Sequence, residues 1–247
     1  MRQIAAAFFA LLCCLPAAAR DLLVIGTHFE RVYERGQEGE IVGFGPEIVR
    51  LIAQRLGHRA VFELYPWSRA QALVAQGKAD ILVGPYKTFE RQQLMAFSKL
   101  PFYQDQMVFY VRKVAPVEWN GDYSSLTSQR IVTVNGWAYG PDFDRARPQL
   151  KLDSVNSVDS GLKMLAAQHA TMFASNRRNT EPVLGRLGLA GQLAMLPKVI
   201  EVQEGYFGFP KRPASDALRK EFDAELQRMV DSGELKRLGQ RHDVSVP

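Results

Sequence analysis

Residues 46–64, PEIVRLIAQRLGHRAVFEL, contain a helix followed by a strand and decide the fold class. Pro46 suits the first turn of a helix, and the apolar residues after it recur at three- and four-residue steps until Gly57, a typical stop. Residues 60–64 then predict a strand. The apolar run at residues 22–25 predicts a buried strand before this helix, so the order is strand, helix, strand.

The same alternation continues beyond residue 64 with one more helix and one more strand. Ser68 is expected to cap the helix, and an apolar run from Ile81 that ends at Gly84 predicts the strand. The order β-α-β-α-β implies a parallel sheet with helices on its faces.

The second half of the chain repeats this architecture without repeating its sequence. Strands are predicted at residues 131–134, 170–174 and 199–202, and helices are predicted to begin at Pro141 and Pro182.

The pattern therefore predicts an α/β protein of two lobes. The first lobe is expected to take residues 20–112 and 204–247, and the second lobe residues 113–203, so the chain crosses between the lobes twice. Ligands of open α/β sheets bind at the carboxyl ends of strands, and clefts between lobes are preferred pockets. The interlobe cleft is the predicted site.

Composition and charge exclude several function classes. The chain has 247 residues, 47% of them hydrophobic and 23% charged, which is typical of a globular protein. The formal net charge of +5 comes without a block of basic residues, so nucleic-acid binding has little electrostatic support.

Residues 1–19 have the pattern of a secretory signal peptide, with an apolar run and a small-residue cleavage site at residues 17–19. Both cysteines, Cys13 and Cys14, lie inside this segment. The exported chain is therefore expected to have no disulfide and no thiolate metal ligand. It is expected in the periplasm as a monomer without a membrane anchor, because the apolar run is too short to span a bilayer.

Metal and cofactor chemistry lack sequence signals. The four histidines are expected to lie apart from one another and from acidic residues at ligand spacing, so no metal is expected. The sequence contains no nucleophile elbow, phosphate-binding loop or dinucleotide-binding loop, and no cofactor is expected.

Residues 77–103, GKADILVGPYKTFERQQLMAFSKLPFY, contain the most informative motif. Thr88 can cap a helix whose first turn holds Arg91, and the Arg91 guanidinium can reach back to the strand end at Gly84. Free backbone N–H groups and a guanidinium would together hold a carboxylate there. The alternative is that Arg91 lies on the surface in a solvated ion pair.

The motif T-x-x-R at residues 88–91, followed by F-S-x-x-P-F at residues 97–102, resembles bacterial extracellular solute-binding family 3, the periplasmic binding proteins of amino-acid ABC transporters. G-x-A-D at residues 77–80 belongs to the same resemblance, which covers nearly the whole mature chain. It implies two lobes that close on a ligand like a flytrap, an amino acid or related organic acid as ligand, and an inner-membrane ABC permease as partner. Arg91 matches the arginine that holds the ligand's α-carboxylate in the family.

Three places depart from the family's pattern. Gly84, Pro85 and Tyr86 stand where a serine or threonine is usual, and a Gly-Trp-Ala-Tyr loop at residues 136–139 replaces the usual Gly-Thr/Ser-Thr. Asn176 stands where an acidic residue usually receives the α-ammonium. An amide supplies no opposite charge, so a zwitterionic α-amino acid is disfavoured relative to the family at large.

Aromatic residues in predicted loops at strand ends could stack on a ligand, or each could be buried packing instead. The residues predicted to bind the ligand are Arg91, Thr88, Tyr86, Gly84, Trp67, Gly136, Trp137, Ala138, Tyr139 and Asn176.

Three functions fit these features. The first is a non-enzymatic receptor that presents a small organic anion to a permease. The second is an enzyme of the cyclohexadienyl dehydratase type on the same fold, for which Glu30, Glu47 and Glu181 are the candidate acids or bases. The third is a ligand sensor for a membrane signalling partner.

Overall fold

The computed structural model describes residues 20–247, and the predicted signal peptide lies outside these residues. The strands are β1 (Asp21–Gly26), β2 (Glu34–Arg35), β3 (Ile41–Val42), β4 (Arg59–Leu64), β5 (Ile81–Tyr86), β6 (Met95–Phe97), β7 (Tyr103–Arg112), β8 (Arg130–Val134), β9 (Lys151–Val155), β10 (Met172–Asn176) and β11 (Leu193–Pro210). The helices are α1 (Phe44–Arg55), α2 (Trp67–Ala75), α3 (Phe89–Leu94), α4 (Pro141–Ala146), α5 (Val158–Ala166), α6 (Arg177–Arg186), α7 (Pro213–Asp231) and α8 (Glu234–Arg241).

Most of the strands belong to one mixed sheet with the order β4-β1-β5-β11-β7-β10-β8-β9. At one end β4, β1 and β5 are parallel, and at the other end β10, β8 and β9 are parallel. The antiparallel pair β7 and β11 joins the two groups, from Tyr103 opposite Gly205 to Arg112 opposite Leu193. The predicted α/β fold with two lobes and two crossings is confirmed, although the sheet is mixed rather than wholly parallel.

The first lobe is built on β4, β1 and β5, and the second lobe on β10, β8 and β9. Along β7, pairing with β10 begins at Met107. Along β11, pairing with β5 begins at Gly205. The lobe boundaries proposed at residues 112 and 203 stay predictions.

The core follows the apolar faces of the helices. In α1 the side chains of Phe44, Ile48 and Ile52 are fully buried in the larger hydrophobic cluster. A smaller cluster in the second lobe packs Leu162 of α5 against Phe173 of β10. Each lobe therefore has helices covering its sheet, which leaves the loops at the carboxyl ends of the strands free to face each other.

Three local predictions were wrong. The strand β5 does not end at Gly84 but continues to Tyr86. Ser68 is the second residue of α2, and Pro66 is in the cap position without a side-chain hydrogen bond. Pro182 lies inside α6, because Asn176 caps that helix by accepting a hydrogen bond from the Asn179 N–H, so the helix begins five residues earlier.

Across residues 20–247, no helix combines the length and the apolar content that crossing a bilayer would require.

Candidate functional site

Arg91 is held at the cleft by the first turn of α3. The Thr88 hydroxyl accepts a hydrogen bond from the Arg91 N–H at 3.3 Å, which confirms the predicted cap. The side chain turns inward, and the residue is 7% exposed. The surface alternative for Arg91 is therefore wrong.

The Arg91 guanidinium connects the two lobes. Its Nη1 donates to the Tyr86 carbonyl at 2.9 Å in the first lobe, and its Nη2 donates to the Gly136 carbonyl at 2.9 Å in the second. Within residues 20–247 no carboxylate forms a salt bridge with it. Burial lowers the pKa of Arg91 to about 10, so the group is still cationic at neutral pH.

The Gly136 carbonyl is the meeting point of the lobes. It also accepts a hydrogen bond from Trp67 Nε1 at 3.1 Å. Gly136 has φ +73°, and a Cβ added there would lie 3.2 Å from Cδ1 of Trp67. The close approach of this loop to Trp67 therefore favours glycine.

Three aromatic rings close the cleft above Arg91. Phe29 lies 5.6 Å from Trp67 and 6.0 Å from Trp137 between ring centres. The Arg91 guanidinium lies 5.3 Å from the ring centre of Trp67. With Gly84, Tyr86 and Ala138, these groups line an inner pocket of about 10 Å³, which is the space of one water molecule.

An outer cavity of about 350 Å³ shares the same three rings. Its charged lining comprises His28, Glu30, Asp159 and Arg186. Arg186 lies 3.5 Å from Glu30 and 3.3 Å from Asp159, and so pairs with a carboxylate of each lobe. The inner pocket and the outer cavity together form the candidate site, with Arg91 at the inner end.

His28 lies beside Glu30 at 3.3 Å. The hydrogen bond to Glu30 raises the pKa of His28, and the same bond lowers the pKa of Glu30. His28, Glu30 and Glu34 each offer a ligand atom within 4.8 Å of the others. The prediction that no histidine lies near acidic residues at ligand spacing was wrong, because a turn from Phe29 to Tyr33 folds the chain back on itself.

A buried ion pair lies next to the inner pocket. Asp105 of β7 accepts hydrogen bonds from Nε and Nη2 of Arg178 at 2.8 and 2.7 Å. The Tyr86 hydroxyl donates to the same carboxylate at 2.7 Å. The Arg178 side chain is 8% exposed and that of Asp105 is 1% exposed.

A larger cavity of about 560 Å³ lies on the hinge side of this ion pair. Its charged groups pair with one another, as Arg31 with Asp243, Arg177 with Glu181, and Arg178 with Asp105. We place the candidate site at the Arg91 side because the guanidinium there has no such partner.

Seven of the ten predicted site residues line the candidate site and three do not; Thr88, one of the three, caps α3 and lines neither space. Arg91, Tyr86, Gly84, Trp67, Trp137 and Ala138 line the inner pocket, and Gly136 lines the outer cavity. Tyr139 and Asn176 are fully buried and line neither. The Tyr139 hydroxyl accepts from the Val134 N–H and donates to the Ala174 carbonyl, so this ring supports the loop from within the core.

Phe29, Arg178 and Arg186 lie at the cleft but were not predicted there from the sequence. Phe29 follows β1 at its carboxyl end, where the rule for α/β sheets could have placed it. Arg178 follows the carboxyl end of β10 in the same way. Arg186 carries no such signal, since it reaches the cleft from the far end of α6.

Comparison with known proteins agrees with the two-lobed binding fold. Residues 24–243 match the family model of bacterial extracellular solute-binding proteins, family 3. The chain belongs to this family.

Two curated relatives are binding proteins from Bacillus subtilis. The probable amino-acid-binding protein YxeM is 22% identical over 209 residues, which are 83% of this chain and 77% of the relative. The L-cystine-binding protein TcyK is 24% identical over 229 residues, which are 86% of this chain and 79% of the relative. Among solved structures, a histidine kinase sensor domain superposes with a TM-score of 0.82 at 18% identity, covering 93% of this chain and 99% of that one.

Proposed function

We propose that this chain is a periplasmic binding protein that captures a small carboxylate-bearing solute between its lobes and delivers it to an inner-membrane ABC permease. The observation that carries the proposal is the buried guanidinium of Arg91, which has no carboxylate partner among the described residues. A buried charge without a partner costs free energy, and an anionic ligand would supply the partner.

Arg91 has capacity for such a ligand. An arginine side chain offers five N–H donors, and the Tyr86 and Gly136 carbonyls use two of them. A carboxylate bound by the remaining donors would touch a group already joined to both lobes. Ligand binding and lobe closure would then be coupled, because the ligand gains contacts in the closed form that the open form lacks.

The outer cavity would hold the body of the solute. Its volume of about 350 Å³ lies at the lower end of the range typical of small-molecule pockets. The Phe29, Trp67 and Trp137 rings offer an apolar wall. The two curated relatives, named for amino-acid and cystine binding, support a ligand of this size.

The geometry favours binding over catalysis. A dehydratase would need a carboxyl group positioned and protonated to act as general acid. The pKa of Glu30 is lowered by its hydrogen bond to His28, so this carboxyl group is ionised at neutral pH. Glu47 pairs with Arg241 and His242 away from the cleft, and Glu181 pairs with Arg177.

A sensor for a membrane signalling partner is the second candidate. The sensor domain of a histidine kinase has the same fold over nearly its whole length, which makes the architecture suitable for this role as well. Uptake of the bound solute by cells with and without the gene would distinguish the two, since a sensor would leave uptake unchanged.

The decisive experiment is Arg91→Met. Native mass spectrometry of the exported protein would first identify a co-purified solute, and calorimetry would then measure its affinity. We expect Arg91→Met to weaken binding about 10- to 100-fold, the effect of one lost charge-assisted hydrogen-bond pair.

The matched control is Arg145→Met, which removes an exposed arginine paired with Asp142. Circular dichroism would establish that both variants are folded. Full affinity in a folded Arg91→Met protein would refute the proposed site.

A further inference from the structure

We propose that the ligand is a carboxylate without an α-ammonium group, such as a 2-oxo, 2-hydroxy or unsubstituted carboxylic acid with an apolar body, and that Arg178 enforces this choice. The inference rests on the proposed function and concerns the same site. It follows from the groups of the chain that already occupy the two acceptors next to the inner pocket, Asp105 and Asn176.

The inner pocket itself offers no anion to an ammonium. Its lining, described above, contains four aromatic residues, one guanidinium and no carboxylate. An α-amino acid has only one carbon atom between its two charges, so a carboxylate bound to Arg91 would bring the ammonium into this pocket. The face of Trp67, which could bind a cation, is already covered by Arg91.

Asp105 is the nearby acid that could receive an ammonium, and Arg178 already holds it. The Arg178 fork donates twice to Asp105, and its Nη1 donates to the Glu30 carbonyl and to Asn179. The Tyr86 hydroxyl supplies a third hydrogen bond to Asp105. The Arg178 guanidinium therefore already occupies the carboxylate of Asp105, which a ligand ammonium would otherwise bind.

Asn176 is also unavailable. Its Oδ1 caps α6 by accepting from the Asn179 N–H at 2.8 Å, and its Nδ2 lies 3.4 Å from the Tyr86 hydroxyl. The Asn176 side chain thus serves the fold.

Among the buried charged groups Arg91, Arg178 and Asp105, the guanidinium groups outnumber the carboxylate by one, since Asp105 pairs with Arg178 alone. The carboxylates of Glu90 and Asp144 also act on Arg91, but both residues are exposed and Asp144 pairs with Arg147. A monoanion neutralises this excess, whereas a zwitterion leaves it and adds repulsion between its ammonium and two guanidinium groups. Glu30 and Asp159 lie farther out and already pair with His28 and Arg186.

The experiment compares matched pairs that differ only at the α-position: phenylpyruvate with L-phenylalanine, and 4-methyl-2-oxopentanoate with L-leucine. Calorimetry on the full mature protein would measure each affinity. In at least one pair, we expect the 2-oxo acid to bind at least about tenfold more tightly than the corresponding amino acid. Equal or tighter binding of the amino acids would overturn the inference while leaving the proposed function intact.

Variants assign the selectivity to Arg178. Arg178→Met removes the positive excess and frees Asp105, so the preference for the acid should fall at least about tenfold. The double variant Arg178→Met/Asp105→Asn keeps the positive excess and has no free carboxylate, so it should keep the preference. It also guards against failure of the single variant to fold, because it removes both charges of the Arg178–Asp105 pair and leaves neither partner charged and unpaired.

Arg177→Met is the control on the same helix, since Arg177 is exposed and pairs only with Glu181 among the described residues. Its preference should match that of the unmodified protein. An unchanged preference in folded Arg178→Met would overturn the role of Arg178. A further outcome is that none of the four compounds binds and that Arg91→Met changes the affinity for no carboxylate ligand. That outcome would overturn the proposed function and this inference together.

Discussion

At the scale of single residues, some residues of the cleft contact more than one neighbouring residue. Glu30 is an example, because its backbone N–H donates to Asn179 at 2.9 Å while its carboxylate pairs with His28 and Arg186. The His28–Glu30 pair lies at the mouth of the outer cavity. Its strength must change with pH, because the imidazole is charged only below its pKa and the hydrogen bond to Glu30 raises the pKa of His28.

We predict that His28→Gln destabilises the protein at pH ~5.5 and has little effect above pH ~8. The pKa of His28 is raised by Glu30, so its contribution is complete below the unfolded value and is lost as pH rises through the folded pKa. The pKa of Glu30 is lowered, so its contribution is lost when pH falls through its own folded value. The pair is therefore strongest between those two folded pKa values.

Melting temperatures across this pH range would test the prediction. His169→Gln is the control, since His169 is exposed and its ring forms no hydrogen bond with the described residues. A destabilisation by His28→Gln that is the same at both pH values would contradict the assigned pair.

At the scale of helices and strands, α5 and α6 each contain a glycine, and the two glycines have different surroundings. Gly161 lies in α5 against the buried ring of Phe173, and an added Cβ would lie 2.3 Å from a ring carbon. Gly185 lies exposed in α6, and nothing would approach its Cβ within 4 Å. The same substitution should therefore have opposite effects at the two positions.

We predict that Gly161→Ala lowers the free energy of unfolding by about 1–3 kcal/mol, because the buried ring must move to accept the methyl group. Gly185→Ala should raise it by about 0.5–1 kcal/mol through the better helix propensity of alanine. Urea denaturation of both variants would measure the two changes. A stabilising effect of Gly161→Ala would show that helix propensity outweighs packing at that position, and a destabilising effect of Gly185→Ala would contradict the propensity argument.

The helices and strands also show what the sequence could and could not predict. The parallel strands β1, β4, β5, β8 and β10 were predicted because each is a short apolar run with local stop signals, as at residues 22–25. The strand β9 was missed because its side chains are exposed or half-buried, so it has no apolar run. The length of β11 was missed because polar residues such as Gln203 interrupt it where it crosses between the lobes.

The candidate site was only partly predictable for a related reason. The T-x-x-R motif identified Arg91 and its cap, since both depend on a spacing of three residues. The partners of Arg91 could not be predicted, because Gly136 lies 45 residues away and meets Arg91 only when the lobes come together. Asp105 carries no signal of its own, because its burial depends on Arg178 from another element.

At the scale of the whole molecule, protein groups on both sides of the cleft hold the lobes together. The backbone N–H of Glu30 in the first lobe donates to Asn179 Oδ1 in the second, and Arg91 and Trp67 both donate to the Gly136 carbonyl. Each bond is lost when the lobes part. The balance between open and closed forms should therefore respond to a single interlobe hydrogen bond.

We predict that Asn179→Ala shifts this balance toward the open form. The variant loses the acceptor for the Glu30 N–H, while the cap of α6 persists because it uses the backbone N–H of residue 179. Opening would expose Trp67, which is 8% exposed in the structure, and would move tryptophan emission to the red. The radius of gyration from small-angle X-ray scattering should rise at the same time.

Asn135→Ala is the matched control, because Asn135 bonds to Asn156 within the second lobe and its loss leaves the interlobe contacts in place. Unchanged emission and radius in folded Asn179→Ala would mean that the Arg91 and Trp67 bonds to Gly136 suffice to keep the lobes together.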